Sequence, residues 1–370
     1  MIDTPAGFSR RQFLTQASYF GAFYAFAGAM PLGAMANSLS DDPRMAAAPI
    51  VDAGFASVRK IGEGAYATIS DTSKGFTTMC NGGFVIGKDA ALLIEGFVTS
   101  NGAAFQMETL RKVTQVPATG AIDTHYHFDH SCGNSFYGAH NIQLWGHATA
   151  GKRIVDNYAP IQAADKAVSL ARMEKRVADA KSDLAKQHAE SDLRALTGVV
   201  DIVKKTTLTL PNRPLDPAKL PLTVDLGACP VVIESFPGHS GTDLIVKVPE
   251  QKVVYTGDLM FNGSYPACFD EQASISGWRA TLKTFASFDK DTIFVPGHGQ
   301  VCGQEGVARI RSVFDDLAEQ SEKMYKAGVP AGEAADLYVV PEKFKSLGIW
   351  SWGYCVGFAV TKLYAELAAK

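Results

Sequence analysis

Between Ile122 and Asn134 the chain reads IDTHYHFDHSCGN. Asp123 to His130 hold three histidines and two aspartates in eight positions of a 370-residue sequence with only 8 histidines. Side chains two apart on an extended segment point the same way, so His125 and His127 can converge on one metal ion. If the chain then turns into a helix near Phe128, Asp129 and His130 are aimed at a second ion beside the first. The other donors must come from farther along. Three candidates sit in small-residue turns at the ends of β-like runs: His239 in SFPGHSGTD, Asp258 in VVYTGDLMF and His298 in IFVPGHGQ. The glycines let backbone approach the ions closely. Two neighbouring divalent ions share a water, lower its pKa from 15.7 to about 7, and act as Lewis acids on a carbonyl, phosphoryl or similar electrophilic centre. Asp129 is placed to orient that water or to pass a proton to the leaving group. Imidazole and carboxylate donors suit zinc, and also iron or manganese.

These donors need strands that end at one common edge. The stretch GGFVIGKDAALLIEGF (Gly82 to Phe97) reads as two strands joined at Gly87-Lys88-Asp89. A helix is expected from Asn101 to about Thr114, and a short strand from Gly120 to Asp123 then delivers the histidine cluster. Strand, helix, strand in that order implies layered α/β architecture. Between His147 and Gly198 the composition becomes charged and alanine-rich. Leu170, Met173, Val177, Ala180 and Leu184 recur every three or four residues, the pattern of one amphipathic helix in a helical insertion (about 150–200) that shapes a wall of the site. From Thr206 the segments TTLTL, LPLTVDL, PVVIESF, TDLIVKV, QKVVYTG and TIFVPG read as strands separated by Pro, Gly and Asp. Val307, Ile310, Phe314 and Leu317 mark a helix ended by Gly328 and Pro330, and a last helix runs from about Tyr354 to Leu367.

The N-terminus reads as a targeting segment. SRRQFL (Ser9 to Leu14) is followed by a glycine-punctuated apolar run from Ala17 to Leu32 and by AMA, small residues suited to cleavage after residue 36. The pattern resembles a twin-arginine export signal, which implies the twin-arginine machinery as a partner and a periplasmic location. Residues 37–55 read as a linker. Removing residues 1–36 takes away Asp3, Arg10 and Arg11 and moves the net charge from −3 to −4. Such an acidic chain has no overall field for a phosphate backbone, so nucleic acid is not the expected partner. The six cysteines, Cys80, Cys132, Cys229, Cys268, Cys302 and Cys355, form no CxxC pair, which argues against a zinc ribbon or thioredoxin-like motif and for buried apolar thiols. Cys132, two residues after His130, is the one nearest the motif.

The order His-x-His-x-Asp-His, a lone His after Pro-Gly, Gly-Asp and Gly-His, over about residues 75 to 300, resembles the metallo-β-lactamase fold superfamily in its two-metal form. The resemblance implies a four-layer αβ/βα sandwich with a helical insertion over residues 56–310, and a C-terminal helical segment, 311–370, packing on it. It implies one metal on His125, His127 and His239, a second on Asp129, His130 and His298, and Asp258 bridging them. His140, His147 and His188 are then hydrogen-bonded core histidines, and Asp123 and Asp243 turn or supporting residues.

The implied activity is a zinc-dependent hydrolase acting on an ester, thioester, lactone or amide of a small molecule. An intact aspartate at Asp258 resembles glyoxalase II-type thioester hydrolases more than true β-lactamases. Phe261 stands where acyl-homoserine lactonases keep a tyrosine. Lys343, Lys345 and Lys362 invite comparison with the basic glutathione contacts of glyoxalase II, although surface lysines are usually solvated. The stretches YTGDLMFNGSYP and GWRATL resemble exported members linked to sulfur oxidation or quinoprotein pathways. Three competing readings are a β-lactam-hydrolysing enzyme, a mononuclear iron persulfide dioxygenase and a non-enzymatic periplasmic metal-binding protein.

Overall fold

The computed structural model describes residues 42–369, so the export-signal segment 1–36 lies outside the described residues. The first sheet comprises β1 (Pro49–Asp52), β2 (Ala56–Gly62), β3 (Ala65–Ser70), β4 (Gly82–Ile86), β5 (Ala91–Ile94), β6 (Ala118–Ile122), β7 (Leu144–His147) and β8 (Arg213–Leu215), hydrogen-bonded in that order. Helix α1 (Ser100–Val113) lies between β5 and β6. The short α2 (Phe128–Ser131) and α3 (Asn134–Ala139) follow β6, and the insertion helices α4 (Ala150–Ala163), α5 (Lys166–Ala178) and α6 (Asp183–Lys205) lie between β7 and β8. Neighbours are antiparallel from β1 to β5 and parallel from β5 to β8.

The second sheet runs in the order β13-β12-β11-β10-β9, from β9 (Leu222–Asp225), β10 (Pro230–Ser235), β11 (Leu244–Val248), β12 (Val253–Asn262) and β13 (Ile293–Gly299). Helix α7 (Ile275–Phe285) joins β12 to β13. The chain closes with α8 (Gln304–Lys326), α9 (Ala331–Leu337), a π-helical turn at Gly353–Gly357 and α10 (Phe358–Ala368).

Four layers follow from where the apolar side chains go. Val85, Leu92, Ile122 and Trp145 of the first sheet meet Ile233, Leu244, Val246 and Tyr255 of the second in one core between the sheets. On the outer face of the first sheet, Phe84 and Leu93 pack against Met107, Leu110 and Tyr137 of α1 and α3. Outside the second sheet, Phe294 and Leu259 pack under Trp278 and Phe285 of α7, Phe314 of α8 and Val360 of α10. Sheet faces buried on both sides explain the continuous aliphatic run of β5 and the burial of β12 from Val253 to Phe261. No helix among the described residues is long and apolar enough to cross a membrane.

Four local expectations need correction. Pro49–Asp52, read as linker, forms edge strand β1, because Pro49, Val51 and Asp52 pair with Arg59, Val58 and Ser57 of β2. The single insertion helix is two: α5 ends at Ala178, and α6 starts where the Ser182 side chain accepts the Ala185 N–H (3.1 Å), so Ala180 and Leu184 continue the spacing across a break. TTLTL is not a strand, and one of its carbonyls, that of Thr206, takes a side-chain N–H from Gln162 (2.7 Å). His140 is exposed at the end of α3, its ring on the Phe136 carbonyl (2.8 Å), not in the core.

Candidate metal centre

Strand β6 delivers the histidine motif. His125 and His127 lie on the extended segment after it, and α2 starts at Phe128, which turns Asp129 and His130 to the adjacent position. His239 comes from the β10–β11 turn, Asp258 from within β12, and His298 from the end of β13. These elements belong to both sheets, and their ends bring two clusters together: His125, His127 and His239, and Asp129, His130, Asp258 and His298. The candidate donor atoms of each cluster lie within 4.8 Å of one another. Asp258 stands between them. Its Oδ2 is 3.4 Å from His239 Nε2 and 3.9 Å from His125 Nε2, while its Oδ1 is 3.2 Å from His130 Nε2 and 3.3 Å from His298 Nε2.

Two glycines make this approach possible. Gly257 adopts φ +50°, and a Cβ there would come 2.2 Å from Thr124 Oγ1. A Cβ on Gly297 would come 1.9 Å from Asp258 Oδ1. The residue before each of Asp258 and His298 is therefore held to glycine by the space its neighbour occupies.

Supporting groups fix each ring. His127 faces Asp270 Oδ2 through Nε2 (3.1 Å), leaving Nδ1 toward His239 Nε2 (2.8 Å) and His125 Nε2 (3.0 Å). Asp270 also accepts from the Tyr126 hydroxyl (2.5 Å) and from Arg153 of α4 (2.9 Å). His239 Nδ1 lies on the Ala267 carbonyl (2.9 Å), and its backbone N–H donates to Asp243 (2.7 Å). His130 Nδ1 is 3.1 Å from Glu95 Oε1, and Glu95 takes the Thr124 hydroxyl (2.6 Å). The Cys80 thiol donates to the Asp129 carbonyl (3.1 Å). An imidazole held at one nitrogen by a carboxylate or carbonyl presents the other as a fixed donor.

Burial depresses His125 and His239, the latter to about 3, so both rings are neutral and their lone pairs are available. In the other cluster burial pushes His298 down, but Asp258 and Asp129 outweigh it and raise the ring to about 9. His130 is raised well above its ordinary value for the same reason, with Cys80, Glu95, Asp129 and Asp258 overcoming burial. Two buried carboxylates thus demand positive charge. The donor set fits divalent cations by a further test: Asp129 Oδ2, His130 Nε2 and Asp258 Oδ1 are buried and make no hydrogen bond, although His130 Nε2 comes within 3.2 Å of Asp258 Oδ1. Convergent donors that do not satisfy one another are what a cation would satisfy.

The other singled-out residues stay outside both clusters. His147 bonds Thr149 (2.9 Å), and His188 bonds Asp336 (3.0 Å) and stacks on Trp352. Asp123 accepts from Asn134 (2.7 Å), and Asp243 braces the His239 turn. Lys343 and Lys345 are exposed, whereas Lys362 is half-buried with its ammonium near the Glu271 carbonyl (3.4 Å), which corrects its reading as solvated. The six thiols are unpaired, and Cys80 rather than Cys132 is the one that reaches the centre. Residues missed in the sequence are Glu95, Asp270, Arg153 and Cys80. Only Glu95, an acid closing the apolar run ALLI, carried a signal.

A two-sheet sandwich flanked by helices, with two His/Asp clusters at the strand ends, defines a metallohydrolase-type protein. The model of the metallo-β-lactamase superfamily matches residues 75–298, and the chain belongs to that superfamily. Similar solved structures include the stereoselective inverting sec-alkylsulfatase Pisa1 from Pseudomonas sp. (14% identity, 84% of this chain and 50% of that one, TM-score 0.57). Others are a metallo-β-lactamase from Erythrobacter litoralis (14%, 72% and 99%, TM-score 0.49) and one from Pontibacter korlensis (15%, 70% and 99%, TM-score 0.48). These likenesses are of fold.

Proposed function

We propose that the protein is an exported, zinc-dependent hydrolase that uses a two-metal centre to cleave an ester, thioester, lactone or amide bond in a small molecule. The observation that carries this reading is Asp258, whose two oxygens face the two clusters separately. The second cluster has its full donor set, which supports a dinuclear centre over a single-iron dioxygenase. Zinc is favoured by the imidazole-rich first cluster, and export by the Arg10–Arg11 pair.

When bound, the two cations supply Lewis acidity and a water of lowered pKa. The chain does the rest. His127 and His239, each held at one nitrogen, and His130, whose Nδ1 faces Glu95, fix the donor positions, and Asp258 sets the spacing between clusters. Asp129, with Oδ2 3.2 Å from His298 Nε2, takes the proton of the attacking water and passes it to the leaving group, so that one product carries the hydroxyl and the other the hydrogen. Phe261 stacks on His298 (centroids 5.3 Å apart) and limits the ring's freedom.

Metal analysis of the purified mature protein, paired with a panel of ester, thioester, lactone and β-lactam substrates, tests the reading. Close to two ions per chain and turnover on an acyl substrate are expected. Asp258→Ala lowers the metal content and reduces kcat/KM by at least a hundredfold. One iron per chain with oxygen consumption, or tightly bound metal without turnover on any panel member, overturns it.

A further inference from the structure

His298 of the second cluster borders a cavity of about 340 Å³. Ile69, Met79 and Trp350 give this cavity apolar walls, and Arg59 of β2 lines it together with His298. Strand alternation explains how a cation comes to be there. Val58 faces the outer helix layer, and Arg59 stands opposite Ala67, which lies in the core between the sheets, so Arg59 is turned inward.

Other half-buried cations among the described residues have partners. Arg44 bonds Asp42, Arg153 bonds Asp270 and Glu271, Lys247 bonds Glu234, Arg309 bonds Asn262, and Lys204 and Lys362 reach the carbonyls of Gln162 and Glu271. Arg59 makes no hydrogen bond or ion pair among the described residues, and its Nε is buried without a partner. The residue is half-buried on the cavity wall, and five N–H donors in a planar fork match an oxyanion. The two acids of the cavity rim do not serve as that counter-charge. Asp71 accepts the Ser73 N–H (3.0 Å) and hydroxyl (2.6 Å), and Asp52 accepts the Gly54 N–H (2.8 Å).

We infer that this cavity recognises the substrate by an oxyanion seated on Arg59, so that the hydrolysed compound is a small anionic acyl derivative. The inference rests on the hydrolase reading for its reaction and on Arg59 for its charge. The apolar walls hold the intervening carbon chain, which sets the acyl carbon toward His298. The negative rim of Asp52 and Asp71 selects one oxyanion over a polyanion. A cavity of this volume accommodates a compound of metabolite size.

Two measurements on the metal-loaded mature protein test it. In the first, glutarate and neutral glutaramide are titrated against tryptophan fluorescence, to which Trp350 in the cavity wall contributes. Arg59→Gln is expected to weaken glutarate binding by tenfold or more, Arg59→Lys to recover part of the loss, and glutaramide to bind all three alike. In the second, hydrolysis of mono-4-nitrophenyl glutarate is compared with that of 4-nitrophenyl butyrate. The preference for the anionic ester is expected to fall tenfold in Arg59→Gln, through KM rather than kcat. Should Arg59→Gln fail to fold, Arg59→Met, which keeps the apolar stem, carries both tests. Equal glutarate affinity in wild type and variant, or no glutarate binding by the wild type, overturns the inference. Turnover of both esters without dependence on Arg59 overturns the subsite and leaves the hydrolase reading standing. Arg59-dependent glutarate binding without turnover of either ester does the reverse.

Discussion

Replacing Asp270 by asparagine keeps the shape of the side chain and removes its charge, which isolates what the carboxylate does for the metal centre. In the native protein Asp270 Oδ2 receives His127 Nε2 (3.1 Å) and the Tyr126 hydroxyl (2.5 Å), and Arg153 Nη2 lies 2.9 Å from both its oxygens. Loss of the carboxylate beside a ligating imidazole weakens metal affinity by roughly 10–100-fold, or about 1.4–2.8 kcal/mol. Arg153 keeps Glu271 (2.6 Å), so helix α4 is not released.

The same substitution has a signature in acid. Burial raises the Asp270 carboxyl, but the His127 hydrogen bond and the Arg153 charge outweigh it and hold the group at about 2, against an ordinary 3.8. A depressed carboxylate stabilises the fold fully above pH about 4, and that stability disappears as pH falls through about 2. The difference corresponds to roughly 2 kcal/mol for so buried a group. Competition against a chromophoric chelator at neutral pH measures the first effect. Urea unfolding with chelator present, from pH 6 down to pH 2, measures the second. The variant is expected to lose affinity for one ion of the pair and to approach wild-type stability toward pH 2. Unchanged affinity for both ions together with parallel stability curves would refute the positioning role of Asp270.

Two further substitutions probe the frame. Gly297→Ala places a Cβ 1.9 Å from Asp258 Oδ1, so Asp258 must move, and the variant is expected to lose at least tenfold in activity together with part of its bound metal, read by elemental analysis. Ser182→Ala removes the cap that starts α6 without touching the centre. A loss of about 1 kcal/mol, seen as a drop of roughly 2 °C in thermal midpoint, is expected with kcat unchanged.

The donors were legible because their residue types are scarce and their spacing is set by geometry. Two residues apart on a strand and adjacent on a helix start is a pattern that few sequences carry by accident. The groups that support them were not legible, since one acid or one arginine in a loop has no period to reveal it. Asp270 and Arg153 are separated by more than a hundred residues, and only packing of the insertion against the β12–α7 connection joins them. The same limit applies to secondary structure. The spacing from Leu170 to Leu184 passes unbroken over the gap between α5 and α6, because a four-residue connection preserves the phase of the apolar stripe while the backbone leaves the helix. TTLTL has β-favouring residues, but Pro211 and Pro214 follow, and Gln162 occupies the Thr206 carbonyl that a ladder would need.

The two clusters are braced from different sides, and this divides the roles of the flanking segments. His125, His127 and His239 have 0–1% of their surface exposed, and α4 of the insertion braces them through the Arg153–Asp270 contact and through Tyr126, whose carbonyl takes the Tyr158 hydroxyl. His130 leans on Glu95 of the first sheet. Asn81, just before β4, donates to the carbonyls of Pro296 (2.9 Å) and Gly299 (2.6 Å), and so ties that sheet to the end of β13 that holds His298. The His298 side chain is 11% exposed and borders the cavity. The cavity thus meets the centre at the second cluster, along the face built by β2, β3 and the segment carrying Trp350. Changes in the insertion should alter how firmly metal is held, whereas changes on β2 should alter which compounds are accepted. A substitution at Arg59 that shifted metal affinity, or one at Arg153 that shifted substrate preference at constant metal content, would contradict that division.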